Sequence, residues 1–163
     1  MKLSWIPEHP YPGRLALSVA PGSHRLTPLT ADLQVLTTHH IKRVICLLED
    51  EEFEHLPGDE TASSCASAMA AANLEYHRFP FEDYTAPSNA LMDAILVVLQ
   101  VALARGEGVL VHCMAGRGRA GTVAACLLVA CGLKPDEAIL LVRWFREGAI
   151  QSADQEDFIK ARA

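Results

Sequence analysis

The stretch that decides the fold is VLVHCMAGRGRAGT, residues 109–122 of 163. A strand-forming segment leads into a loop of small residues, and a helical pattern follows from Ala120 to Cys131. Cys113 and Arg119 stand at the two ends of the loop, with five residues between them. The N–H groups of such a tight loop can all point inward, and the N-terminus of the next helix adds partial positive charge. The stretch therefore predicts a binding site for a phosphoryl dianion.

The side chains of this loop fit the same chemistry. Gly116 and Gly118 permit backbone angles that a side chain would resist, and Arg119 can hold two phosphate oxygens with its planar fork. The positive field of the loop favours the thiolate form of Cys113, which is the nucleophilic form. We therefore expect Cys113 to be the nucleophile and Arg119 the phosphate clamp, although a cysteine can also serve as a small core residue. The loop residues that would contact the phosphate are Met114, Ala115, Gly116, Arg117 and Gly118.

The segment Gly116–Gly121 also matches G-x-G-x-x-G, the pattern of a dinucleotide-binding loop. That fold needs a second parallel strand ending in an acidic residue about twenty positions further on. Position 141 is instead a leucine within a helical segment. A P-loop nucleotide triphosphatase is excluded as well, because no Lys-Ser/Thr pair follows the glycines.

The segment His112-Cys113-x-x-Gly116-x-x-Arg119 resembles the H-C-x5-R signature of the protein-tyrosine phosphatase superfamily, in particular its compact dual-specificity and kinase-associated members. The resemblance covers most of the chain. It is strong from Phe79 onward and weaker before it. It implies metal-independent hydrolysis of phosphomonoesters through a phosphocysteine, without a cofactor. The chain has no counterpart of the inserted loop that deepens the pocket of phosphotyrosine-only enzymes, which implies proteins bearing phosphotyrosine and phosphoserine or phosphothreonine as substrates.

The resemblance also implies roles for residues outside the loop. Residues 79–84 resemble the segment that supplies the general acid, which points to Asp83, with the adjacent Glu82 as the alternative. His112 would support the loop through hydrogen bonds. Residues 148–151, with Gln155, resemble a C-terminal segment of the family, in which Gln151 or Gln155 could orient the hydrolytic water or simply cap a helix.

Two loop positions bear on substrate and rate. Arg117 is either a solvated residue or an extra positive charge at the rim. Some lipid and inositol-phosphate phosphatases of the superfamily carry a basic residue there, so a phosphoinositide or other non-protein phosphate is the alternative substrate. Ala120 departs from the usual Ser or Thr, whose hydroxyl assists hydrolysis of the phosphocysteine, and Thr122 is the nearest hydroxyl that could compensate.

Three other classes of protein share part of this pattern. A sulfurtransferase also uses a cysteine in an anion-binding loop, but it has no leaving group for Asp83 to protonate. The arsenate reductases that would compare use a resolving cysteine pair, and none is evident. A phospho-binding module without catalysis typically lacks the cysteine, the arginine or the aspartate, whereas all three are present here.

The remaining sequence predicts one domain over residues 1–163, an α/β fold with a mostly parallel central sheet flanked by helices. The net charge of −6 without a basic stripe disfavours nucleic acid. The apolar segment 90–104 is too short for membrane insertion, and five cysteines without a CxxC pair suggest a cytoplasmic protein with no structural metal. Oligomeric state is not indicated.

The sequence also predicts the secondary structure elements. We expect strands at Leu15–Val19 (an edge strand), Lys42–Leu48, Leu74–Phe79 and Val109–His112. We expect helices at Pro28–His40, Thr61–Ala72, Ser88 to near Gly106, Ala120–Cys131, Pro135–Glu147 and Asp154–Ala161, with Trp144 and Phe145 in the core.

Overall fold

The computed structural model describes residues 1–58 and 60–162, and within them five strands form one sheet flanked by helices. The strand order is β1-β2-β5-β3-β4; β1 is antiparallel to β2 and the other neighbours are parallel. This confirms the predicted α/β fold. The strands are β1 (Ser4–Ile6), β2 (Arg14–Ser18), β3 (Ile41–Cys46), β4 (Glu75–Arg78) and β5 (Gly108–His112). The helices are α1 (Leu29–Thr38), α2 (Ala62–Ala71), α3 (Asn89–Ala104), α4 (Gly118–Ala130), α5 (Pro135–Phe145) and α6 (Ala153–Lys160), with a 3₁₀ turn at Glu51–His55.

The centre of the sheet is β5, and all five of its residues are buried. A strand covered by helices on both faces reads as a continuous apolar run, which is why Val109–Val111 has no alternation. The expectation of an edge strand near Leu15 is wrong. β2 lies between β1 and β5, because the short strand Ser4–Ile6 covers its outer side.

Helices α3, α4, α5 and α6 pack on one face of the sheet, and α1, α2 and the 3₁₀ turn pack on the other. In α5 the buried stripe is Ala138, Ile139 and Val142. Trp144 and Phe145 lie outside this stripe and are 84% and 41% exposed, so their expected place in the core is wrong.

Two helix starts position the elements around the loop. Ser88 caps α3, accepting a hydrogen bond from Leu91 N, as the sequence predicts. Helix α4 begins at Gly118, two residues before the predicted start, and Arg119 therefore lies in its first turn. None of the helices in the described part of the chain has the length and apolarity that a bilayer crossing requires.

Candidate active site

The candidate nucleophile lies at the carboxyl end of the central strand, where open α/β sheets place their ligands. Cys113 follows β5 directly and is 2% exposed. The loop then bends at Gly116, whose φ is +64°. A Cβ at that position would lie 1.9 Å from the carbonyl oxygen of Ser18, so the backbone of β2 approaches too closely for any other residue.

Hydrogen bonds to its carbonyl groups fix the orientation of the peptide groups in the loop. In a trans peptide the N–H points away from the preceding C=O. Donors that bind the carbonyls from outside the loop therefore turn the following N–H groups, those of residues 115–118, toward its interior. Such inward N–H groups beside a helix N-terminus form an anion-binding nest. The contacts are Ala20 N to Met114 O (3.0 Å), Arg146 Nη2 to Ala115 O (2.7 Å), Arg146 Nε to Gly116 O (2.9 Å) and Gly121 N to Arg117 O (2.9 Å).

Two of these four carbonyls are bound by one side chain, that of Arg146. This residue follows α5 directly and is half-buried. Burial and the positive charge of Arg117 lower the pKa of Arg146, because two guanidinium groups lie close together beside the loop. Sequence reasoning missed Arg146, since nothing in the local pattern links a residue after α5 to a loop 30 positions earlier.

The candidate clamp, Arg119, is fully buried and is fixed by Glu52. Its two terminal nitrogens each donate to one carboxylate oxygen of Glu52 at 2.6 Å. Nη1 also donates to the carbonyl oxygens of Leu47 (3.0 Å) and Phe81 (2.9 Å). The end of the guanidinium group is thus bound to the 3₁₀ turn and to two loops.

The other edge of Arg119 faces the candidate acid. A guanidinium group has five N–H donors, and the contacts above use those of Nη1 and one of Nη2. The Nε–H and the second Nη2–H form the side edge, and this pair can bind two phosphate oxygens. Asp83 Oδ1 lies 3.2 Å from Nε as an ion pair, and within the described residues Nε makes no hydrogen bond of good geometry.

Glu52 is a site residue that sequence reasoning missed. It stands in the acidic stretch at residues 49–54, which has the composition of a solvated surface. Burial raises the pKa of Glu52, but the hydrogen bonds and charge of Arg119 outweigh burial and hold the pKa below its ordinary value. The local sequence contains no signal for Glu52. Its role follows from the burial of Arg119 in the structure, because a buried guanidinium group requires a carboxylate partner.

The segment after β4 brings Asp83 to the loop and leaves Glu82 in solvent. The Asp83 side chain is 41% exposed, and its Oδ1 also accepts from Tyr84 N at 3.0 Å. Tyr84 has a φ of +61°, a left-handed conformation that is strained for an aromatic residue. Of the two acidic candidates, Asp83 is thus the one that contacts Arg119.

His112 lies beneath the nucleophile on the α1–α2 face of the sheet. It is 2% exposed, with Nδ1 3.4 Å from the carbonyl oxygen of Cys113. Cys46 is its register partner on β3. Burial raises the pKa of the Cys46 thiol, but the charge and proximity of His112 outweigh this and lower the pKa to about 7. A buried ionisable pair thus lies directly behind the loop.

The remaining candidates have distinct positions. Gln151 is exposed and lies against Gly118, where an added Cβ would be 2.9 Å from Gln151 Oε1. Gln155 is fully buried and its amide is engaged by protein groups. Thr122 donates its hydroxyl to the Gly118 carbonyl at 2.9 Å, which uses the hydrogen that could have replaced the missing hydroxyl at Ala120.

Comparison with known proteins gives concordant results. Protein tyrosine phosphatase type IVA 2 of Mus musculus is 38% identical over 76 residues, which are 45% of this chain and 46% of that protein. The chain thus matches less than half of that relative's length. A crystal structure of kinase associated phosphatase, with its catalytic cysteine changed to serine, has a TM-score of 0.87 at 23% identity, covering 98% of this chain and 92% of that one. PTPMT1 in complex with PI(5)P has a TM-score of 0.74 at 21% identity, covering 91% and 88%.

The family model described as "Swiss Army Knife protein, DSP-PTPase phosphatase domain" (PTP-SAK) matches residues 11–159. The matched range contains the Cys113–Arg119 loop, Glu52, Asp83 and Arg146. The chain therefore belongs to the PTP-SAK family of DSP-PTPase phosphatase domains.

Proposed function

We propose that the protein hydrolyses phosphomonoesters, without a metal, through a phosphocysteine on Cys113. The observation that carries this proposal is the loop whose carbonyls are bound from outside, with Cys113 at its base and the side edge of Arg119 facing Asp83. Its inward N–H groups and the Nε and Nη2 donors of Arg119 would hold the three terminal oxygens of a phosphate.

In the first step the Cys113 thiolate attacks phosphorus and the bond from phosphorus to the ester oxygen breaks. Asp83, protonated, gives its proton to the leaving oxygen. In the second step Asp83 accepts a proton from water, whose oxygen attacks phosphorus, and the P–S bond breaks to return the thiolate and inorganic phosphate. Gln151, which lies against Gly118, could orient that water.

The substrates we propose are proteins bearing phosphotyrosine and phosphoserine or phosphothreonine, in line with the DSP-PTPase description of the family. Cytoplasmic location stays a prediction, which rests on the odd count of five cysteines without a CxxC pair.

A second candidate substrate class is a small molecule with several phosphates, such as a phosphoinositide. Arg117 is exposed and Arg146 half-buried beside the loop, and within the described residues neither makes an ion pair with a carboxylate. PTPMT1, a protein of the same fold, was crystallised with PI(5)P. Arg117→Ala should then weaken hydrolysis of inositol phosphates about tenfold while changing phosphopeptide hydrolysis less than about twofold.

The mechanism is tested by Cys113→Ser with p-nitrophenyl phosphate. Hydrolysis should disappear while vanadate or phosphate still binds, because the anion-binding loop remains. Acid quenching of the wild-type enzyme during turnover should trap phosphate on Cys113, and EDTA should leave the rate unchanged. A serine variant that retains more than about 5% of wild-type turnover would contradict the proposal, since serine is a far weaker nucleophile at neutral pH.

The acid is tested by comparing Asp83→Asn with its neighbour Glu82→Gln. Asp83→Asn should slow alkyl phosphates about a hundredfold or more and activated aryl phosphates much less, because only the former need the proton. It should also remove the basic limb of the pH–rate profile. If Glu82→Gln behaves this way and Asp83→Asn does not, the two residues exchange roles.

A further inference from the structure

Two loops beside the nucleophile are joined by one buried side chain. The acid loop, residues 79–87, carries Asp83, and the C-terminal loop, residues 146–152, carries Gln151. Gln155, at the start of α6, is fully buried. Its Nε2 donates to the Thr85 carbonyl at 3.2 Å, and its Oε1 accepts from Gln151 N at 2.9 Å.

A neighbouring residue makes a second contact to the acid loop. Asp154 Oδ2 accepts from Ala86 N at 2.6 Å. The two contacts reach the acid loop two and three residues after Asp83, on the chain segment that turns back toward α3. Because both partners are backbone groups, the contacts constrain the path of the loop and not the identity of its side chains.

Both joined loops hold strained conformations that need such support. Tyr84 in the acid loop has a φ of +61° and Ile150 in the C-terminal loop has a φ of +57°. A left-handed conformation at a bulky or β-branched residue is disfavoured, and it persists only where surrounding contacts impose it. Released from Gln155, either loop could relax by leaving the left-handed region.

We propose that Gln155, assisted by Asp154, is a positioning residue that holds the acid loop so that Asp83 stays beside Arg119. This inference rests on the proposed function, since it concerns the acid of that reaction. The amide of Gln155 is fully buried, and its oxygen and one amide hydrogen bind backbone groups of Gln151 and Thr85. Gln155 thus acts through Asp83 and not on the substrate.

The test compares Gln155→Met with Asp154→Ala, Asp154→Asn and Ile159→Val. Methionine keeps the shape of glutamine without its hydrogen bonds. Asparagine keeps an acceptor for Ala86 N, whereas alanine does not. Ile159 is fully buried in the same helix, so Ile159→Val weakens the packing of α6 and leaves the side chains of Gln155 and Asp154 unchanged.

Each variant is assayed with a series of aryl and alkyl phosphates across pH, and amide hydrogen exchange is followed in the peptide that contains Thr85 and Ala86. Gln155→Met and Asp154→Ala should lose about tenfold in kcat/KM for poor leaving groups and less than about twofold for activated ones. The basic limb of their pH–rate profiles should flatten. Exchange at Thr85 and Ala86 should be faster, whereas Asp154→Asn and Ile159→Val should match wild type in all three measurements.

Equal losses for good and poor leaving groups in Gln155→Met, or the same pattern in Ile159→Val, would show a merely structural role and overturn the proposal. Unchanged exchange at Thr85 and Ala86 would overturn it too. Failure of the proposed function looks different: Asp83→Asn itself would show no leaving-group dependence, and the positioning role would then fall with the acid.

Discussion

The pairing of Glu52 with Arg119 can be tested by Glu52→Gln, which changes one atom and removes one charge. The variant retains an oxygen that can accept from one terminal nitrogen of Arg119. Its amide nitrogen then faces the other terminal nitrogen of Arg119. One of the two 2.6 Å hydrogen bonds is therefore replaced by a contact between two N–H donors. Arg119, with no exposed surface, keeps its charge and loses the closer of its two carboxylate partners, so that Asp83 at 3.2 Å is the one that remains.

The magnitude follows from the burial of the two partners. Breaking a buried ion pair by removing one member costs about 3–5 kcal/mol. Glu52 is 18% exposed and its glutamine replacement keeps one bond, so we expect a loss of about 2–3 kcal/mol in the free energy of unfolding. In a chain of this length that lowers Tm by about 5–10 °C. Loss of alignment of Arg119 should also reduce kcat/KM about a hundredfold.

The assay is urea denaturation at neutral and acidic pH, together with kinetics on p-nitrophenyl phosphate. Because its pKa in the folded protein lies below the ordinary value of 4.5, Glu52 stabilises the protein fully above that value, and the effect is lost as pH falls through the lowered pKa. The difference between wild type and Glu52→Gln should therefore shrink in acid. Glu51→Gln, the exposed neighbour in the same turn, is the control. A Glu52→Gln variant within about 0.5 kcal/mol of that control at pH 7 would refute the reasoning.

Three further outcomes are expected. Arg146→Met should weaken vanadate binding and lower kcat/KM at least about tenfold, because the carbonyls of Ala115 and Gly116 lose their donors and the N–H groups after them are no longer held inward. A variant that binds vanadate as tightly as wild type would contradict this. Ala120→Ser should shrink a burst of phenol in rapid mixing and raise kcat with kcat/KM unchanged. Absence of a burst in wild type would show that another donor, such as a water beside Gln151, already assists. The pKa of Cys46 is lowered from 9.0 to about 7 in the folded protein, so its thiolate adds stability to wild type as pH rises from 7 to 9. Cys46→Val lacks this gain, and its free energy of unfolding should therefore fall further below that of wild type over the same range. A difference between the two proteins that stays constant in urea titrations from pH 7 to 9 would count against the ionised form.

The strand–loop–helix around Cys113 could be predicted because its signals are local. Spacing, small residues and an apolar run all lie within fourteen consecutive positions, and the structure has the predicted order of elements there. The parallel sheet followed from alternation of strands and helices. Strand β1 did not, because three residues carry too little periodicity to be recognised.

The partners of the loop could not be predicted, for a different reason. Glu52 lies 67 positions from Arg119, and Arg146 lies 30 positions from Gly116. Whether an acidic or basic residue is a surface charge or a buried partner depends on tertiary placement, which the local sequence does not encode. Trp144 shows the reverse error, since its apolar character suggested the core although the helix turns it outward.

The two carboxylates on Arg119 have different parts in the proposed mechanism. Glu52 binds the end of the guanidinium group through two hydrogen bonds of 2.6 Å, and Asp83 Oδ1 lies 3.2 Å from Nε on the side edge. A phosphate dianion that binds the side edge must therefore take the place of Asp83 at Nε. Glu52 keeps the guanidinium group in position during this exchange, because it binds the opposite end of the side chain. On the proposed mechanism, substrate binding thus releases Asp83 from Arg119 and leaves it beside the bound phosphate, where the leaving oxygen requires an acid.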